Sequence, residues 1–416
     1  MEFHKSQRSN STHERYHAKY LIVGQGSGGL ADRLKSMPYF VWLASRYNRT
    51  LLWHWDFPCR IENFLMPNSE LFDWRVTRSS SVSVDQQHQQ DTLDAWLLHQ
   101  VRDKAVLINS LGNQTDYFEH LIGNNHDMAQ HHDERFLKVY ANHQTLTKGL
   151  PLLFAHAHHN PKVFSDVFRA LLRPSPPIES ALVSVQQELG ILPPQPYIAV
   201  HLRARYPGMN KVIDAAYPHG TMDTKGFVVM TPAIEHQLQL MSQHALSCTQ
   251  QRYAQVYNNN NNNNGTDKDV PTIYLATDTK RVTELYHDHP RVVSMPNHYH
   301  HHDSRKQQQQ QEKDGAEPLH FVMSRKGGRQ CHEYHPAFID LFLLARSKCV
   351  GMGAGGYSLL ASMMNGMGCF VFHQPNGMTK FIGESDPIQS FFHVAQPDGS
   401  FQIPQCLTET TTTTRQ

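Results

Sequence analysis

The segment from residue 20 to residue 55 constrains the fold more than any other. Tyr20-Leu-Ile-Val is an apolar run of strand length, Gly24 to Gly29 is a glycine-rich turn, and Leu30 to Tyr47 carries a helical pattern with a turn or kink near Pro38. Thr50-Leu-Leu-Trp-His-Trp is a second apolar run. A strand, a helix and a strand in this order make a βαβ unit with parallel strands. The first run is apolar at successive positions, the pattern of a strand covered on both faces.

The alternation returns later. Tyr197-Ile-Ala-Val-His-Leu-Arg, Thr272-Ile-Tyr-Leu-Ala-Thr, Arg291-Val-Val-Ser, Cys349-Val-Gly-Met and Cys369-Phe-Val-Phe read as short strands. Helical patterns at Lys280 to Asp288, Pro336 to Arg346 and Tyr357 to Met364 separate several of them. At 416 residues the chain is long for one core, so two α/β domains are expected, each a Rossmann-like parallel sheet. The expected division is a tail at 1–18, a first domain at 19–175, a second at 190–405 and a tail at 408–416. Residues 77 to 175 read as mostly helical, and Leu171-Leu-Arg-Pro-Ser-Pro-Pro as a hinge, because clustered prolines break both helix and sheet. Ser79 to Gln90, the Asn-rich 258–268 and the His/Gln-rich 298–316 offer little apolar surface to bury and are expected as disordered inserts.

Lys plus Arg number 38 against 37 Asp plus Glu, so no basic face dominates and bulk nucleic-acid binding is not expected. The six cysteines form no CxxC pair and no zinc-ribbon spacing, which leaves the redox compartment open. Asn-x-Ser/Thr sequons at Asn10, Asn48, Asn113 and Asn264 suit a secretory lumen, although an Asn-rich chain also produces them by chance. The first residues, MEFHKSQRSNSTHERYHAK, hold neither the apolar core of a signal peptide nor a membrane span. Any membrane association is therefore expected through an anchor outside these residues.

Gly24-Gln-Gly26-Ser27-Gly28-Gly29 fits GxGxxG, where missing side chains let peptide N–H groups approach an anion at a helix N-terminus. A tight strand-to-helix turn uses the same glycines. Asp56, at the end of the next strand, stands where a flavin or nicotinamide site places its ribose-binding acid. Against a dinucleotide, the helix opens Ala31-Asp32-Arg33-Leu34-Lys35, and an arginine in the first turn suits a sugar phosphate better. His201-Leu-Arg203-Ala-Arg205 leaves the carboxyl end of a strand, and a guanidinium there can pair bidentately with phosphate. The bland reading of that run is an interdomain salt-bridge arginine beside a core histidine. Asp278 ends the strand Thr272 to Thr277, either to meet a base edge or ribose or to cap the helix from Lys280. Gly353, Gly355 and Gly356, followed by Tyr357 and Ser358, form a second glycine-rich loop ahead of a small-residue helix.

In this order, the glycine loop with GGLADRL, then HLRAR, YLATD and DLFLLARSKCVGMGAGGYSLLA, the chain resembles the fucosyltransferase superfamily over residues 21 to 373. That superfamily includes protein O-fucosyltransferases and the α1,6- and α1,2-fucosyltransferases. The resemblance implies a GT-B-like α/β fold with two Rossmann-like domains facing across a cleft, GDP-fucose as donor, inversion at the anomeric carbon, no required metal, and a glycan or glycoprotein acceptor in the Golgi or ER lumen. It implies Arg203 on the donor diphosphate, His201 and Asp278 at guanine or ribose, and Gly355, Gly356, Tyr357 and Ser358 as the second phosphate loop. Gly26, Ser27, Gly28, Gly29 and Arg205 complete the expected donor contacts. Relatives often present a serine in the second loop, so a hydrogen bond here must come from backbone or Ser358. The general base is expected at Asp214 or Asp32, either of which could instead cap a helix.

Two other functions stay open: an FAD- or NAD(P)-dependent Rossmann oxidoreductase, and a non-catalytic relative that keeps only the sugar-nucleotide fold. His156, His158 and His159, the run His298 to His302, and Cys331-His332-Glu333-Tyr-His335 resemble metal ligands by composition without metal-site spacing. With 29 histidines, chance clustering is the better account. Trp42, Trp53 and Trp55 are expected in the core.

Overall fold

A computed structural model describes residues 18–25, 29–35, 37–55, 58–69, 72–76, 95–107, 133–141, 161–203, 232–257, 271–296, 330–353, 356–366 and 368–372. The chain divides into two compact units, Met1–Glu179 with Phe321–His332, and Ser180–His320 with Glu333–Gln416. The expected inserts at 258–268 and 298–316 and the tails at 1–17 and 408–416 lie outside the described residues.

The first unit runs β1 (Tyr20–Gln25), α1 (Leu30–Leu34), α2 (Met37–Arg46), β2 (Thr50–His54), β3 (Leu65–Pro67), β4 (Val106–Leu107), β5 (Phe136–Ala141), α3 (Pro161–Leu171), β6 (Leu172–Pro174) and the start of α4 (Pro176–Glu188). The helical stretch after the first glycine loop is broken before Met37, and Pro38 sits in the first turn of α2, where a missing N–H leaves no hydrogen bond unmade. β1 pairs in parallel with both β2 and β5, and the sheet order is β2-β1-β5-β4. Leu21, Ile22 and Val23 are wholly buried at its centre.

The mostly helical reading of 77–175 is corrected by β5, which lies inside the sheet. Phe136-Leu-Lys-Val-Tyr-Ala holds strand formers in Phe, Val and Tyr, and its six positions pair along β1. Arg49, buried in the corner between α2 and β2, donates from Nη1 to the carbonyls of Tyr20 at 3.3 Å and Glu134 at 2.8 Å, joining the amino ends of the two strands. The proline-rich stretch is regular structure where a break is expected, although the units divide just after it, between Glu179 and Ser180. β6 pairs antiparallel with β3, the Ser175 hydroxyl donates to Asn63 O at 2.8 Å, and Pro176 and Pro177 lie in the first turn of α4. Clustered prolines here start a helix instead of breaking the chain.

The second unit continues α4 with β7 (Tyr197–Leu202), α5 (Pro232–Tyr257), β8 (Thr272–Thr277), α6 (Lys280–Glu284), β9 (Val292–Val293), α7 (His335–Arg346), β10 (Val350–Met352), α8 (Gly356–Asn365) and β11 (Phe370–Phe372). All neighbouring strands pair in parallel, in the order β11-β10-β7-β8-β9. Strand alternation assigns the two faces. Ile198, Val200 and Leu202 of β7 and Ile273 and Leu275 of β8 share a core with Leu238, Ala245 and Leu246 of α5. On the opposite face Tyr197 donates from its hydroxyl to Leu343 O of α7 at 2.7 Å.

Among the described residues Cys59 is joined to Cys331 and Cys349 to Cys369. The second links the residues just before β10 and β11, both buried against α5. Cys331 is therefore no thiolate ligand, and the resemblance of Cys331 to His335 to a metal set has a covalent explanation. Trp53 and Trp55 are core residues, 0% and 1% exposed, while Trp42 is half-buried with the Arg46 guanidinium 5.5 Å above its ring.

Candidate functional site

In each sheet the chain leaves one strand in one direction and returns on its other side. In the second unit β8 and β9 lie to one side of β7 and β10 and β11 to the other, so the order reverses between β7 and β10. Crossover helices on either side of such a reversal leave a crevice at the carboxyl ends of the strands, where α/β sheets bind ligands. The residues at that edge are those singled out from sequence: His201 and Arg203 at the end of β7, Asp278 just after β8, and Gly353 and Gly356 to Ser358 after β10. His201 stands beside Ala276 in the register of β7 with β8.

Geometry gives each a character. His201 is 7% exposed, and its ring lies 5.3 Å from that of Tyr357, the second residue of α8. Tyr197, Ala199 and His201 share one face of β7, and Arg203, half-buried, continues the same alternation. The charged fork thus leaves the sheet on the side that carries α7 and α8. Asp278 does not cap α6: Thr279 does, accepting from Arg281 N at 3.4 Å, so a cap does not account for Asp278. Asp278 is half-buried at the edge.

The second glycine loop differs from expectation in one respect. Ser358 is fully buried and donates from Oγ to Gly353 O at 3.2 Å, which closes the loop on itself. The Ser358 hydroxyl proton is spent on the loop, so an anion at the N-terminus of α8 meets peptide N–H groups first. Tyr357 points into the unit and donates to Ala337 O of α7.

Beneath this edge lies a buried polar cluster that motif reading did not single out. Tyr274 of β8 donates to Oδ1 of Asp340, which sits in the apolar helix α7. Burial pushes the Asp340 carboxyl up to about 7, a rise only partly offset by the Tyr274 hydrogen bond. Burial beside Asp340 also holds Tyr274 and Tyr357 well above the usual phenol range. The sequence signal was a lone acid inside Phe338-Ile-Asp-Leu-Phe-Leu-Leu.

This predicts a pH dependence. An ordinary aspartate releases its proton near 3.8 and Asp340 in the fold only near 7, so between those values the folded chain binds more protons than the unfolded one. The contribution of Asp340 to stability therefore falls as pH rises across that window and is level above it. Asp340→Asn keeps the acceptor for Tyr274 and cannot ionise. Its melting temperature should match wild type near pH 4 and exceed it above pH 7. Equal pH profiles for the two proteins would sink the assignment.

In the first unit the order reverses between β1 and β5, and the glycine loop leaves β1 at that point. Gly29 is described, and Gly26, Ser27 and Gly28 lie outside the described residues, as do Asp56, Arg205, Asp214 and Gly355. Asp32 falls within α1. Arg33 is 0% exposed with its guanidinium 5.2 Å from the Trp55 ring, in the core and not on the loop surface expected for a phosphate ligand. Asp73 and Arg75 form a buried bidentate pair in this unit, Nε to Oδ1 and Nη2 to Oδ2 at 2.9 Å each. Among the described residues no group of His, Cys, Asp and Glu is placed to hold a metal ion, and no helix is long and apolar enough to cross a membrane.

No family model and no curated protein matches the sequence. Solved structures do. NodZ alpha-1,6-fucosyltransferase soaked with GDP-fucose is 14% identical over 83% of this chain and 92% of that chain, with a TM-score of 0.41. A mutant of Arabidopsis thaliana FUT1 in complex with GDP is 11% identical over 89% of this chain and 72% of that chain, with a TM-score of 0.42. Fucosyltransferase NodZ from Bradyrhizobium is 13% identical over 82% of this chain and 92% of that chain, with a TM-score of 0.40. Over more than four-fifths of its length, this chain is similar to solved fucosyltransferases.

Proposed function

We propose that this chain is an inverting glycosyltransferase that moves fucose from GDP-fucose to a hydroxyl of a glycan or protein. The observation that carries the reading is the strand-order reversal of the second unit, which gathers His201, Arg203, Asp278 and the loop into α8 at one edge. A guanidinium and a helix N-terminus on one crevice suit a diphosphate, and an acid and a histidine beside them suit a nucleoside. The ordered motifs from GGLADRL to GAGGYSLLA support the same reading.

In this mechanism an acceptor oxygen attacks the anomeric carbon of fucose, the bond from that carbon to the β-phosphate oxygen breaks, and GDP leaves with the bonding pair. Arg203 and the N–H groups opening α8 meet the charge that develops on the departing diphosphate. His201 and Asp278 hold the nucleoside. Asp214 or Asp32 takes the proton from the acceptor. The disulfides Cys59–Cys331 and Cys349–Cys369 support a place in an oxidising compartment, the lumen of the ER or Golgi.

Binding of GDP, GDP-fucose, NAD(P) and FAD, measured side by side with transfer of labelled fucose to a glycan array, tests the reading. GDP and GDP-fucose are expected to bind and the dinucleotides not. Dinucleotide binding without GDP affinity would show an oxidoreductase, and GDP-fucose binding without hydrolysis or transfer would show a non-catalytic relative.

A further inference from the structure

We propose that Asn48 carries an N-linked glycan. Asn48-Arg49-Thr50 has the acceptor pattern, and among the sequons it is the one inside the described residues. It forms the corner between α2 and β2. Asn48 is exposed, as are Ser45 and Arg46 before it, while Arg49 turns inward and is 2% exposed. The corner's peptide groups are satisfied within the fold: Asn48 N donates to Ser45 O at 3.2 Å, Arg49 N to Ala44 O at 2.8 Å and Thr50 N to Lys19 O at 2.8 Å. A sugar on the Asn48 amide therefore takes no hydrogen bond from the backbone and displaces no core side chain.

The second observation is independent of the sequon. Disulfides such as Cys59–Cys331 and Cys349–Cys369 are the mark of a chain that folds in an oxidising compartment, and in eukaryotes that compartment also holds the N-glycosylation machinery. The co-reactant is a lipid-diphosphate-linked oligosaccharide. The bond from Asn48 Nδ2 to the sugar C1 forms, the bond from C1 to the phosphate oxygen breaks, and the lipid diphosphate leaves with the bonding pair. The amide proton passes to a base of the transferring enzyme. The inference rests on the lumenal part of the functional reading and not on fucosyl transfer.

Asn48 also has a conformational reason to be asparagine, since its φ of 48° lies in the left-handed region that Asn and Gly tolerate best. The test separates the two roles. The full chain is expressed behind a secretory leader in eukaryotic cells, and peptides are mapped after amidase release of glycans in heavy-oxygen water. Label at Asn48 is expected in wild type and, at least in part, in Thr50→Ser, and is absent from Thr50→Val and Asn48→Gly. Glycine keeps the left-handed corner, so unchanged GDP binding in Asn48→Gly shows that only the glycan was lost. An unlabelled Asn48 in wild-type chains whose Cys349–Cys369 bond has formed overturns the proposal and leaves both the lumenal and transferase readings standing. Free thiols throughout would overturn the lumenal reading with it.

Discussion

Arg203→Ala is expected to weaken GDP binding by roughly 100-fold, about 3 kcal/mol, with little change in melting temperature. Arg203 ends the central strand of the second sheet, half-buried, on the face that carries α7 and α8. Loss of the guanidinium leaves a doubly charged phosphate facing peptide dipoles alone, and such a charge-assisted pair is about twice as strong as a neutral hydrogen bond. Arg203→Lys should recover only part of the affinity, because an ammonium lacks the planar fork that meets two phosphate oxygens at once. Titration calorimetry with GDP gives the answer. Unchanged affinity in Arg203→Ala would remove the residue on which the donor site is built. A parallel loss of melting temperature would assign Arg203 to structure instead.

The second large effect is expected from Cys349→Ala/Cys369→Ala. The bond spans 20 residues and encloses β10, the second glycine loop and α8. Closing a loop of that size lowers the entropy of the unfolded chain by an amount worth about 3 kcal/mol. In a unit of this size the double variant should melt about 6–12 °C lower. The same change should weaken GDP binding, since the N–H groups at the start of α8 lie inside the freed loop. Both cysteines are buried, at 0% and 1% exposure, so brief treatment of the folded protein with reductant should leave the bond in place. Thermal melts of wild type and variant, with and without GDP, check both parts. A variant that melts with wild type would mean that packing of the core against α5 already fixes β10 and β11.

Much of the second unit was legible because its strands are continuous apolar runs and the helices from His335 and Gly356 are short, almost wholly buried apolar segments, whereas the 26-residue α5 carries no such run and was not read. Tyr197 to Leu202, Thr272 to Thr277 and the helices from His335 and Gly356 lie within a residue or two of where periodicity put them. β5 was not legible. Phe136-Leu-Lys-Val-Tyr-Ala holds strand formers, but its place in the sheet rests on a ladder along β1, a non-local pairing that no window of sequence contains. The prolines after Leu171 misled for a related reason, since the first turn of a helix accepts proline as readily as a hinge does.

The candidate site divides along the same line. Sequence by itself determined which residues are candidates for the chemistry: an arginine at a strand end, an acid at the next strand end, and glycines ahead of a helix, each a local pattern with a local cause. Only the tertiary structure decided which of them meet. Parallel pairing around β7 brings Arg203, Asp278 and the start of α8 to one edge, and burial sends Arg33 and the Ser358 hydroxyl inward. It also set the state of groups whose chemistry depends on their neighbours. Asp340 releases its proton only near 7 because α7 carries it into the core, a burial effect that the Tyr274 hydrogen bond opposes only in part, and the cysteines are joined because folding brings distant or facing residues within bonding distance. Proton affinity and disulfide pairing are properties of an environment, and the environment is made by the fold.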